Sequence, residues 1–165
     1  MVARSNQKLA ITLASDTEIV MTYTFNAPRA LVYEAMTEVK HIRNWWGPAK
    51  YELAVAESDL RVGGAWRFVE RAEECGEHPF KGEWRELEPP ERIALTQIYD
   101  VAPFNESVVL ITILLTEQAG KTLMTETMSF DSGEARDEML QSGIESGAQE
   151  SMERLAELLE RLKSR

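Results

Sequence analysis

The sequence predicts a single α+β domain in which a strongly bent antiparallel β-sheet wraps around a long C-terminal α-helix. Three observations carry this. Between about Tyr51 and Phe130 the apolar residues alternate with period two, in runs separated by short, turn-rich gaps. From Glu134 to about Leu162 they recur every three or four residues, with Glu, Gln and Arg between them. One further strand and two short helices precede the sheet region, so the long helix can bury its stripe only on the concave face of that sheet.

Taken in order, residues 1–16 are polar or mixed and read as a flexible arm with a short strand at Leu9–Leu13; the domain proper spans residues 17–165. After Thr17 the residues Ile19, Met21, Tyr23 and Phe25 alternate with polar ones, as in a half-buried strand. Asn26-Ala27-Pro28 ends it, and Pro28 suits a first helical turn, where its missing N–H has no partner to lose. Leu31, Val32, Ala35 and Met36 form one helical stripe; a second short helix from about Glu38 carries Ile42 and Trp45 and stops at Gly47-Pro48. Strands follow near Tyr51–Asp59, Ala65–Arg71, Phe80–Leu87, Arg92–Val101, Glu106–Glu117 and Lys121–Phe130. The gaps, among them Val62-Gly63-Gly64, Glu88-Pro89-Pro90-Glu91 and Ala119-Gly120, are short enough to make successive strands antiparallel neighbours. Asp131-Ser132-Gly133 supplies an N-cap oxygen, and the last helix, at 1.5 Å per residue, would be roughly 43 Å long.

Composition narrows the function classes. With 18 Lys and Arg against 28 Asp and Glu, the net charge is −10, which repels nucleic acid and anionic membrane surfaces. The most apolar run, Val108–Leu115, is about half of what a spanning helix needs. The single cysteine, Cys75, cannot form an internal disulfide, and Leu9–Ala14 lacks the apolar core and cleavage site of a signal peptide. A cytoplasmic protein, monomeric or homodimeric, is expected.

Several segments carry a family resemblance: Asn26-Ala27-Pro28-Arg29, Asn44-Trp45-Trp46-Gly47-Pro48, Asp59-Leu60-Arg61-Val62-Gly63-Gly64-Ala65-Trp66, Pro79-Phe80-Lys81-Gly82-Glu83-Trp84, Pro89-Pro90-Glu91-Arg92, and Ser142-Gly143 with Gly147. In this order, over about Asp16 to Leu162, the chain resembles the activator-of-Hsp90-ATPase homologue 1-like family of the START/Bet v 1-like (SRPBCC) superfamily. The resemblance implies the helix-grip fold and a cavity between sheet and long helix. It does not imply one reaction, because that family shares architecture rather than chemistry.

The residues themselves offer a large aromatic set and few polar anchors. Core and sheet-end packing is the simpler reading of these rings and of the methionines; if the fold keeps a cavity, Trp45, Trp66, Phe68, Trp84 and Tyr99, with Met124, Met128 and Ile144, are its expected walls. Gly143 and Gly147, four apart, share a helix face and cost about 1 kcal/mol each relative to Ala. Either the helix approaches its neighbours closely there, the simpler reading, or side chains are omitted to make room for a ligand. Glu126 shares a strand face with Met124, Met128 and Phe130. Either register or a strand-end position leaves it in water, or its carboxyl points inward, to pair with an Arg, accept from a Tyr or Trp ring group, or keep its proton. Of these inward fates the ring hydrogen bond, with the pKa raised by desolvation, is expected.

No cofactor fingerprint occurs. Gly143-Ile144-Glu145-Ser146-Gly147 lacks the spacing of a nucleophile elbow, and Cys75 with His78 and the distant His41 falls short of a structural zinc set. Glu73, Glu74 and Glu77 surround Cys75 and suppress its thiolate. The reading is therefore a non-catalytic binding module for a small apolar or amphipathic molecule. Two alternatives stand beside it: a protein-interaction role as an Hsp90-type ATPase activator, and a cyclase- or hydrolase-like enzyme using the same cavity with His78 or Glu126 as acid or base.

Overall fold

The computed structural model describes residues 7–164; the start of the expected arm, residues 1–6, lies outside them. Eight strands form one antiparallel sheet: β1 (Ala10–Ser15), β2 (Glu18–Phe25), β3 (Glu52–Ser58), β4 (Ala65–Ala72), β5 (Gly76–Glu88), β6 (Arg92–Tyr99), β7 (Val109–Gln118) and β8 (Lys121–Ser129). Their order across the sheet is β1-β2-β8-β7-β6-β5-β4-β3, a meander whose last strand is met by the opening hairpin. Two short helices, α1 (Arg29–Thr37) and α2 (Val39–Ile42), carry the chain from β2 to the far edge at β3.

Alternation decides which side chains enter the core. On β2 these are Ile19, Met21, Tyr23 and Phe25, and on β7 Val109, Ile111, Ile113 and Leu115. The opposite face of β7 and β8 leaves Leu110, Leu114 and Leu123 exposed. Leu9 is buried ahead of β1, and its amide donates to Gln149 Oε1 at 2.7 Å, tying the first strand to the C-terminal helix.

Two expectations need correction. β5 begins at Gly76, four residues before the expected Phe80, and Pro79 lies within it opposite Val69. A proline inside a run argues against strand because it gives up a ladder donor, but Pro79 keeps its carbonyl in use, accepting from Asp100 N at 2.9 Å. The C-terminal helix is two helices, α3 (Gly133–Gln141) and α4 (Ile144–Lys163). Ser132 caps α3, its Oγ accepting from Ala135 N at 3.1 Å. Gly143, at φ 88°, takes the left-handed conformation that ends helices and that a side chain disfavours. Among the described residues no helix is long and apolar enough to cross a membrane.

Gly82 shows how tightly the rest of the sheet is built. A Cβ there would lie 1.8 Å from Thr96 O and 2.7 Å from Trp66 Nε1, so the strand must pass bare beneath the indole. The C-terminal half of α4 is equally close-packed: Leu155, Leu158, Leu159 and Leu162 are all buried.

Candidate functional site

The N-terminal half of α4 is different. Its inward residues are small, Gly147, Ala148 and Ser151, and between them and the sheet lies a cavity of about 810 Å³. A Cβ on Gly147 would meet nothing nearer than Pro48 Cγ at 4.0 Å, so this glycine is not enforcing a close approach. The close-packing reading of the glycine pair is thus replaced: Gly143 serves the break between α3 and α4, and Gly147 leaves room. Volumes of this size suit small-molecule sites.

The walls are largely aromatic and aliphatic. Trp46, after α2, meets Phe68 and Phe80 edge-on at 5.4 and 5.1 Å, and Phe80 packs on Tyr99 at 5.1 Å. Trp45 Nε1 donates to Ala35 O at 2.8 Å and Trp84 Nε1 to Ser58 Oγ at 2.9 Å, so both indoles spend their polar edge on the protein. From the expected set, Trp45, Phe68, Trp84, Tyr99, Glu126, Met128 and Ile144 line the cavity. Trp66 and Met124 do not. Trp66 lies 2% exposed against Phe68, with ring centroids 4.7 Å apart, directly over Gly82. Met124 is 1% exposed between Tyr23 and Leu115 on the neighbouring strands. Both share a face with true wall residues but sit where the interior is already filled.

Glu126 points inward from β8, opposite Met21 on β2 and Ile113 on β7, all three lining the cavity. What exposure it retains is to this cavity, and burial pushes its pKa up to about 7. The expected hydrogen bond is absent: no described group donates to its carboxyl, because its neighbours across the ladder are hydrocarbon.

A second inward carboxyl, Glu70 on β4, lies outside the expected set, although it alternates with Trp66 and Phe68 just as Glu126 does with its methionines. Glu70 is 7% exposed and its Oε2 has no hydrogen-bond partner. Desolvation raises its pKa to about 7, against the opposing pull of Arg154 and Lys50. The backbone of Gly47, at φ 79°, closes over it; a Cβ there would fall 2.5 Å from Glu70 Oε2. Arg154 Nη1 donates to Gly47 O at 2.5 Å, joining α4 to this corner.

His78 on β5 completes the polar lining. Its Nε2 lies 3.0 Å from Cys75 O, which can only accept, so Nε2 donates there, and Nδ1 is hydrogen-bonded to Tyr99 Oη at 2.7 Å. Tyr51 meets the ring edge-on at 5.4 Å, and burial raises the Tyr51 pKa. With both nitrogens facing protein partners, His78 is positioned by the fold rather than free to ligate a metal. A different group, Glu34, Glu38 and His41, brings three ligand atoms within 4.8 Å on one face of α1 and α2, away from the cavity. His41 Nε2 lies 3.6 Å from Glu34 and 3.8 Å from Glu38, the geometry of an ion cluster as much as of a metal donor set.

Comparisons with known proteins agree with this architecture. The family model described as Activator of Hsp90 ATPase homolog 1-like protein matches residues 26–160. No curated protein matches the chain. Among solved structures, a Rhodobacter sphaeroides protein superposes with a TM-score of 0.85 at 21% identity, covering 94% of this chain and 99% of its own. A Chromobacterium violaceum protein gives 0.77 at 28% identity, over 88% and 99%. The AHSA1 protein of Silicibacter pomeroyi gives 0.71 at 19% identity, over 86% and 96%.

The two inward carboxyls make stability depend on pH. With folded pKa values of about 7, above the 4.5 of an ordinary glutamate, their stabilising contribution is fully present below about pH 4.5 and lost as pH rises through 7. Glu126→Gln removes one of these liabilities. Urea unfolding should find it close to wild type near pH 5 and more stable near pH 8, by on the order of 2 kcal/mol. A difference that is the same at both pH values would mean that Glu126 does not keep its proton in the fold.

Proposed function

The chain belongs to the Activator of Hsp90 ATPase homolog 1-like family, and we propose that it is a binding module holding a small, mostly apolar molecule between the sheet and α4. The observation that carries this is the cavity of about 810 Å³, bounded by rings and methionines whose positions are fixed by the fold. The indole N–H groups of Trp45 and Trp84 are already bonded to protein, which leaves hydrocarbon to face the ligand. Burial of such a surface is favourable by roughly 25 cal/mol per Å² and needs no reaction to explain it. Polar groups, among them Glu70, Glu126, Gln97 and the bonded pair His78 and Tyr99, are outnumbered by apolar ones in the lining, as in sites where they orient a ligand. The free thiol of Cys75 accords with a cytoplasmic setting.

A neutral apolar fluorophore, N-phenyl-naphthylamine, should bind with a rise in its emission and quenching of tryptophan fluorescence. Ala148→Trp, which places an indole in the cavity, is expected to weaken binding at least about tenfold. Leu123→Ala, on the convex face, should leave it unchanged. Affinity that survives the filled cavity would place the fluorophore elsewhere and remove this reading.

The exposed Leu110, Leu114 and Leu123 favour a second reading, a protein-interaction role of the kind the family description names. It predicts that the purified domain raises the ATPase rate of an Hsp90-type chaperone, less so at high salt given the charge of −10. No stimulation at large excess would dismiss it.

A further inference from the structure

We propose that the cavity takes a molecule with an apolar body and one cationic amine, its nitrogen seated against Glu126. This rests on the reading of the cavity as a ligand site and adds the chemistry of the ligand. His78 and the other carboxyls that line the cavity each have an opposing group within the protein. His78 is held by Tyr99 and by the Cys75 carbonyl. Glu150 accepts from the Ala49 amide. Glu70 lies in the field of Arg154 and Lys50, beneath Gly47. Of the three carboxyls that line the cavity, Glu126 alone has neither a hydrogen-bond donor nor a counter-charge among the described residues. It is surrounded by Met21, Ile113, Met124 and Met128 on its own and adjacent strands.

An acid in that position selects among amphipathic ligands. An ammonium group supplies charge-assisted N–H donors to a carboxylate that has none, and water exclusion strengthens the pair. The raised pKa of Glu126 means that an arriving cation needs to displace its proton only against a small opposing free energy near neutrality. A fatty-acid-like ligand would set a second carboxylate against the first, and an alcohol would add only a neutral hydrogen bond. The net charge of −10 also enriches cations near the protein and depletes anions.

The test is competition against bound N-phenyl-naphthylamine by decylamine, decanol and decanoate, below their micellar concentrations and near pH 8. Decylamine should compete at least about tenfold better than decanol, with decanoate the weakest. In Glu126→Gln the advantage of the amine over decanol should vanish; Glu126→Leu should lose the same preference, and thermal unfolding checks that each variant folds. Decylamine no better than decanol in wild type, or an amine preference that persists in both variants, overturns the proposal while leaving the apolar site intact. Failure of all three to displace the fluorophore would overturn the ligand-site reading itself.

Discussion

A helix laid across a bent antiparallel sheet fills only as much of the concavity as its side chains can reach. That constraint governs this molecule. Along α4 the inward side chains change from small to large. Leu155, Leu158, Leu159 and Leu162 fill the space at one end, and Gly147, Ala148 and Ser151 fall short at the other. The leucines hold the helix in place, and with the helix anchored there the sheet cannot close onto the small residues. The break at the left-handed Gly143 falls at the same end, where Met139, Ser142 and Gly143 line the cavity.

The walls are rigid for ordinary packing reasons. The indoles of Trp45 and Trp84 are each bonded to a neighbouring element and Trp46 packs edge-on against two phenylalanines. An apolar ligand would therefore meet a surface that needs little reordering, which removes part of the entropic cost of binding. The carboxyls of Glu70 and Glu126 work against stability near neutral pH. Such unpartnered groups cost free energy unless something else meets them, and that is characteristic of sites whose partner arrives from outside.

Much of this was legible in the sequence where one period rules one environment. Alternation identified β2, β7 and β8 and the inward direction of Glu126. The same rule applied to Trp66, Phe68 and Glu70 would have found the second carboxyl. Alternation cannot say how far along a strand the interior is filled, so Trp66 and Met124 were grouped with the walls, although one covers Gly82 and the other lies between Tyr23 and Leu115. The helical stripe ran unbroken through Leu140, Ile144 and Ala148 and masked the left-handed Gly143, whose place after Ser142 is a C-cap signal in its own right. The missing hydrogen bond to Glu126 depends on which neighbours face it across the ladder, a matter of register rather than of local sequence.

The central claim, that the space between sheet and α4 is a ligand site, is tested most directly by methyl NMR of the methionines. Met21, Met36, Met128, Met139 and Met152 line the cavity, whereas Met124 is buried outside it. Titration with a neutral apolar molecule such as decanol should shift the methyl resonances of those five and leave that of Met124 in place. Shifts absent from the five, or no larger there than at Met124, would contradict the account.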